Sequence, residues 1–268
     1  MVASADVTET LFVTCGHCGR SIGLGPAGRP RRYCEGTDCQ RSRAAARKRQ
    51  SRDRKPAPAT TVTLGTNADL FATVSDLYLN DGDVIADVTY STGRFWKKTD
   101  LSRYRFLASD LLPRRDKRMT VTACDFRALP YAAGTIDVLV LDPPYIHSPG
   151  KGMLATRYNG LATTDMISYA DIIRLYRDGM TEAARVLRDG GQLWVKCKDT
   201  LASEHQRWSH ITLQQIAHEL GMYSRDLFLL VPPAPSAVTT GRWARQLHAR
   251  KVHSYLWIFE TGGFRRRG

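Results

Sequence analysis

The sequence predicts an α/β chain: a doubly wound, mostly parallel sheet preceded by a small cysteine-rich module. Three observations carry that expectation. From Thr63 onward, short apolar runs alternate with amphipathic stretches, the pattern of strands linked by helices. Four of the six cysteines fall between residues 15 and 39. Residues 40–60 then pass from a basic, helix-forming run into a Pro/Ala linker. That change of composition sets a boundary near Pro56, with 1–56 as the module and 57–268 as the main domain.

The elements follow in order. Asn67 is placed to cap a helix whose apolar face is Leu70, Phe71, Val74, Leu77 and Tyr78. VIADVTY (84–90), YRFLAS (104–109), VTAC (121–124) and the very apolar IDVLVLD (136–142) read as successive strands. Residues 168–188 fit a long helix, with Ile172, Ile173, Leu175, Tyr176, Met180, Ala183, Ala184 and Leu187 inward, stopped by RDGG. QLWVKCK (192–198) is a fifth strand, ITLQQIAHELG a helix ending at Gly221, and DLFLLV and HSYLWIFE two closing strands. In open sheets of this kind, ligands sit beyond the carboxyl ends of the strands.

Composition narrows the classes of function. A hydrophobic fraction of 43% and a charged fraction of 24% exclude wholesale disorder and a coiled-coil rod. No apolar run approaches the roughly 18 residues of a membrane span. The N-terminus lacks the basic and apolar regions of a secretory signal. The net charge of +13 suggests a polyanionic partner, most simply nucleic acid. Residues 1–58 hold twelve Lys/Arg against five Asp/Glu, so over half of that excess lies in about a fifth of the chain. Clustered cysteines without a signal peptide point to a reducing, cytoplasmic setting, where they hold metal more often than they form disulfides.

The cysteine spacing is Cys15-x2-Cys18, fifteen residues, then Cys34-x4-Cys39. Two such pairs supply the four thiolates of a tetrahedral Zn²⁺ site. Gly16 and Gly19 allow the tight turn of the first pair, and His17 is set aside because adjacent ligands crowd each other. Two disulfides or unligated thiols are the competing readings. GRPRRYC and the basic helix after it resemble small zinc-ribbon-like modules at the N-termini of bacterial nucleic-acid proteins. Cys124 and Cys197 read as core residues.

The most informative stretch is 136–145. A buried strand ends in Asp142, and Pro143, Pro144 and Tyr145 follow at once. Two prolines fix a stiff turn, so the Asp142 carboxylate and the Pro143 carbonyl can face one point, with the Tyr145 ring beside it. That grouping suits a flat base with an exocyclic amine: the acceptors take its N–H hydrogens and the ring stacks. Asp142-Pro143-Pro144-Tyr145 resembles motif IV of the S-adenosylmethionine-dependent amino-methyltransferases, which modify adenine N6 or cytosine N4 in DNA and, in related branches, RNA amines. Residues 84–96 resemble the family's cofactor loop, motif I, with Asp87 and Gly93 on the pattern and Ser91 where most relatives carry glycine; Thr89 and Tyr90 in the same loop are further cofactor-binding candidates. Asp110 closes the next strand, where a carboxylate accepts ribose hydroxyls in Rossmann-like sites. Asp125 matches the acid that meets the cofactor's adenine amine, with Phe126 against its ring.

The resemblance spans about residues 65–261. It implies a Rossmann-like fold, S-adenosylmethionine as cofactor, and methyl transfer to a flipped base, adenine ahead of cytosine and DNA ahead of RNA; the structural Zn²⁺ rests on the cysteine spacing. A nucleic-acid-binding regulator with an inactive site is the reading of another class. Residues 146–166 and 232–252, carrying Tyr158 and Trp243, are the candidate target-recognition inserts. Lys196 and Lys198 end near the site with a structural or a phosphate role, and His253 is open between core and function.

Overall fold

The computed structural model describes residues 13–15, 18–22, 36–39, 41–42, 58–144, 168–202, 205–233 and 248–263. The chain divides into two units, Met1–Pro58 and Ala59–Gly268. In the first unit, β1 (Val13–Thr14) pairs antiparallel with β2 (Ser21–Ile22), and residues 37–39 are helical.

The second unit begins with β3 (Val62–Leu64) and α1 (Asn67–Tyr78). The helix is capped by Thr66 rather than Asn67. Thr66 Oγ1 accepts from the Asp69 amide at 3.4 Å, and the Asp69 carboxylate accepts from the Thr66 amide at 2.9 Å. This reciprocal box satisfies two amide donors at once, which a lone Asn cap does not. Leu77, expected inward, is 50% exposed, and Leu79 is buried just past the helix end.

β4 spans only Val84–Asp87, three residues short of the expected strand. The Asp87 carboxylate accepts from the Thr89 amide at 3.1 Å and turns the chain out of the sheet. β5 (Arg105–Asp110), β6 (Val121–Ala123) and β7 (Ile136–Leu141) follow. Short 3₁₀ turns at Arg94–Trp96 and Leu101–Arg103 stand between β4 and β5 in place of a crossover helix. α2 (Tyr169–Val186) starts with a second capping box, Ser168 with Asp171. β8 (Leu187–Cys197) begins where the helix ends, so RDGG lies inside the strand instead of between the two elements. Its start is irregular against β7, between Ile136 and Val138, and Gly190 sits at φ +70. A small hairpin of β9 (Thr200–Ala202) and β10 (His205–Arg207) precedes α3 (Ser209–Glu219), β11 (Tyr223–Val231) and β12 (Ser254–Glu260).

Eight strands form one sheet in the order β3-β11-β12-β8-β7-β4-β5-β6. Strands β8, β7, β4, β5 and β6 are mutually parallel, whereas β12 inserts antiparallel between β8 and β11. The Rossmann-like expectation therefore holds, with β12 the one strand of this sheet that runs against the others. Burial follows the alternation of side chains along the strands. Ala86, Leu139, Leu141, Leu193 and Val195 face one core with α2 and α3; Ile85, Val138, Val140 and Trp194 face the other with α1 and Trp96. Full burial of each Val, Leu or Ile side chain among them contributes on the order of 1.5–3 kcal/mol. The chain runs outward from β4 in one direction to β5 and β6 and outward from β7 in the other to β8. The switch point thus lies between the carboxyl ends of β4 and β7, which carry Asp87 and Asp142. No helix among the described residues is long and apolar enough to cross a membrane.

Candidate active site

Asp87 ends β4 and is buried. One carboxylate oxygen accepts from the Thr89 amide and the other from Trp96 Nε1 at 2.7 Å. Trp96 is itself wedged against Phe71, with ring centroids 5.3 Å apart. Burial pushes the Asp87 carboxyl up to about 7, and the charges of Asp142 and Asp110 add to it, against the lowering by its two hydrogen bonds. Thr89 serves a different neighbour: its Oγ1 accepts from the Asp142 amide at 2.8 Å. The loop after β4 is thereby tied to the turn after β7.

The loop itself is tightly held. Ser91 has φ 51, the one non-glycine at positive φ among the described residues. Its amide donates to Asp110 Oδ2 at 2.8 Å, while Asp110 Oδ1 accepts from the Leu112 amide at 3.0 Å. The carboxylate thus anchors a conformation that serine adopts reluctantly. Tyr90 is buried and donates to Asp116 Oδ2 at 2.8 Å. Arg118 donates to the Tyr90 hydroxyl at 3.0 Å and to the Gly93 carbonyl at 3.2 Å. Burial, then Asp116, pushes the Tyr90 hydroxyl up to about 12. Gly93 sits at φ +61, and a Cβ there would stand 2.2 Å from the Tyr90 hydroxyl and 2.3 Å from Arg118 Nη2. Only glycine fits that position.

Asp125 and Phe126 lie after β6. Asp125 is gripped by Arg127 through both carboxylate oxygens, at 2.6 and 3.0 Å, and this pair holds it below the usual carboxylate range. Phe126 is buried against α2, where a Cβ on Gly179 would stand 2.8 Å from its ring. Its ring edge therefore belongs to the core.

Asp142 follows β7 directly. Its Oδ1 is buried and has no hydrogen-bond partner among the described residues. Burial pushes this carboxyl up to about 7, opposed by Lys196. Pro143 is buried and Pro144 half-buried, while Tyr145 lies outside the described residues. The last ladder pair between β7 and β8 is Leu141–Val195, so Asp142 and Lys196 stand side by side one step on. Both share the face of Asp87, Val140 and Trp194 by strand alternation. Lys196 is 2% exposed, and its Nζ donates to Ser254 Oγ on β12. Its pKa is lowered by burial and raised in turn by Asp142. Composition alone leaves this lysine ambiguous; its signal is a cation inside an apolar strand, WVKC.

Four further groups meet at the same end of the sheet. Asp199, buried, accepts from His210 Nδ1 at 2.8 Å and from the Tyr255 hydroxyl at 3.3 Å. His210 stacks on Tyr255 with centroids 4.3 Å apart, and His253 Nε2 lies 2.8 Å from the Tyr255 hydroxyl. His253 is thus part of a polar cluster, whereas Asp199, His210 and Tyr255 have no spacing in the sequence that marks them. Cys197 is fully buried and Cys124 half-buried.

In the first unit, Cys15 and Cys18 stand on the turn between β1 and β2. The Cys15 amide donates to the Arg20 carbonyl at 2.8 Å, the Gly19 amide to the Cys15 carbonyl at 3.0 Å, and Gly19 has φ +70. The sulfurs of Cys15, Cys18 and Cys39 all lie within 4.8 Å of one another. Tetrahedral zinc–thiolate sites, with Zn–S of about 2.3 Å, set sulfurs about 3.8 Å apart, so these donors fit Zn²⁺. Cys34, His17 and Gly16 lie outside the described residues.

No family model and no curated protein matches the chain. Several hundred solved chains resemble it in path. One is an S-adenosylmethionine-dependent methyltransferase from Methanosarcina mazei, at 12% identity and TM-score 0.44, over 70% of this chain and 96% of that one. Another is 1,6-didemethyltoxoflavin-N1-methyltransferase from Burkholderia thailandensis, at 15% identity and TM-score 0.46, over 91% and 96%. A third is a putative DNA modification methylase from Thermus thermophilus in complex with S-adenosylmethionine, at 20% identity and TM-score 0.34. The match covers 54% of this chain and 56% of the Thermus protein, so it spans about half of each.

Proposed function

We propose that the chain is an S-adenosylmethionine-dependent methyltransferase acting on the exocyclic amine of a base in nucleic acid, adenine N6 in DNA ahead of cytosine N4 or an RNA amine. The buried Asp142 Oδ1 carries this reading. A buried carboxylate oxygen with no donor among the described residues, at the switch point of the sheet, is costly unless an N–H is brought to it, and a bound amine would bring one.

The cofactor fits the acids beside it. Asp87 and Asp142 are both pushed up to about 7 in the apolar end of the sheet, so a cationic sulfonium there relieves their burial as carboxylates. The loop 88–93 and Asp110 would hold the cofactor, with Tyr90 and Gly93 shaping the loop and Thr89 linking it to Asp142. Asp125 contributes less, because its carboxylate is already gripped by Arg127. Bound there, S-adenosylmethionine supplies an electrophilic methyl group.

The chain's own residues do the rest. Ionised Asp142 and the Pro143 carbonyl accept the amine hydrogens and orient the nitrogen lone pair. Pro144 stiffens that turn, and Tyr145 stacks on the flipped base. Once the nitrogen is alkylated its N–H is strongly acidic, and Asp142 Oδ1 takes the proton. Lys196 sets the charge state of Asp142 as a positioning residue. The N-terminal module binds one Zn²⁺ through Cys15, Cys18, Cys34 and Cys39, and its basic residues contact phosphates.

The test is single-turnover methyl transfer to DNA and to RNA by Asp142→Ala, read by nucleoside mass spectrometry, with cofactor affinity in parallel. Turnover should fall by about 10²–10³, as for loss of one strong transition-state contact, while the cofactor still binds. Near-normal turnover refutes the base-amine reading.

A further inference from the structure

The carboxyl end of β8 leads past Lys196 and Asp199 into the β9–β10 hairpin and Trp208. The cations at this edge are set differently from the eight arginines of the second unit that form ion pairs: Arg103, Arg118, Arg127, Arg174, Arg177, Arg185, Arg188 and Arg225 each pair with a carboxylate. Here Lys198, Arg207, Arg250 and Lys251 have no carboxylate partner among the described residues, and Asp199, which follows Lys198, is buried on His210. Two of the four cations lie instead over aromatic rings. Lys251 Nζ is 4.9 Å from the centroid of Trp208, and the Arg207 guanidinium carbon is 5.2 Å from that of Tyr169. Arg207 Nε is buried without an acceptor among the described residues.

The apolar side is equally unusual. Trp208 is 49% exposed, and Leu201, Ile211 and Val252 are exposed beside it in sequence and fold. The patch connects to the catalytic end through packed rings. Trp208 lies 6.4 Å from His210, which stacks on Tyr255, and Tyr255 pairs with Cys197 next to Lys196. An accessible indole beside cations that have no carboxylate partner among the described residues is the equipment of single-strand binding: the ring takes a base and the cations take phosphates. A protein partner of matching apolar surface alone would leave four cations uncompensated.

We propose that the Trp208 edge is the surface on which unstacked nucleotides neighbouring the methylated base lie, with Trp208 stacking on one base and Lys198, Arg207, Arg250 and Lys251 meeting the phosphates. This rests on the nucleic-acid reading above. It also makes opened or single-stranded nucleic acid the substrate form that this edge engages.

The test is anisotropy titration of the full-length protein with a labelled oligothymidylate. Thymine has no exocyclic amine, so binding does not depend on the Asp142 pocket. Trp208→Ala should weaken binding roughly 5- to 150-fold, and Trp208→Phe should keep most of it. Arg207→Gln and Lys251→Gln should each lower the salt slope by about 0.7. Wild-type protein that binds no nucleic acid at low salt refutes the nucleic-acid reading itself. Wild-type binding left unchanged in Trp208→Ala and in both charge variants overturns the inference alone. Should Trp208→Ala fail to fold, the two charge variants decide.

Discussion

Replacing Lys196 by Met removes a buried cation one strand away from Asp142 while keeping the length of the side chain. Neighbouring strands stand about 4.8 Å apart, and with no direct contact the two charges are roughly 6–8 Å from each other. At an effective dielectric constant of about 20, the attraction is roughly 2 kcal/mol, or between one and two pH units for Asp142. The sign is fixed by the charge. Lys196 favours ionised Asp142, so its removal raises the Asp142 pKa from about 7 toward roughly 8–9. The proposed transfer needs the carboxylate, so the acid limb of kcat/KM should move up by the same amount. Methyl transfer near neutral pH should fall about 10-fold and recover toward roughly pH 9.5. Lys196→Arg, which keeps the charge, should leave the limb close to its original place. The assay is transfer of a labelled methyl group to DNA over that pH range, with cofactor saturating. A uniform loss of rate with an unmoved acid limb refutes the electrostatic role and leaves Lys196 as packing.

Stability should carry the same signature. Asp87 and Asp142 have folded values near 7 against an ordinary 3.8, so the folded state binds more protons than the unfolded one between these values. Stability of the cofactor-free protein should therefore rise as pH is lowered from about 8 to about 5, by at most about 1.4 kcal/mol per pH unit and group. Asp142→Asn should flatten part of that slope in thermal melts, and a flat wild-type profile refutes it. Gly93→Ala should cost about 2–4 kcal/mol in chemical denaturation and weaken cofactor binding, because the new Cβ strains a left-handed residue and displaces Tyr90 and Arg118. Wild-type stability in that variant removes the packing argument. Metal analysis should find about one zinc per chain, lost in Cys15→Ser and Cys39→Ser, and metal-free protein with an ordered first unit refutes the site.

The central strands were legible because their burial is local and dense. IDVLVL and YLWIF are apolar enough that no neighbour is needed to identify them. The acids at strand ends were legible for the same reason: Asp87 and Asp110 close apolar runs, and Asp142 precedes two prolines. What those acids touch was not legible. Asp110 accepts from Ser91, 19 residues earlier, and the Asp142 amide reaches Thr89, 53 residues away. Lys196 neighbours Asp142 only because β7 and β8 lie parallel at one register, and β12 separates β8 from β11 although it comes last in the chain. Residue type and order are enough to say which segments bury, where the chain turns, and which residues can accept, donate or ligate. Which of them meet depends on the folded sheet, since strand order, register and face are properties of chain segments far apart in sequence. A one-residue change of register would have turned Lys196 to the opposite face from Asp142.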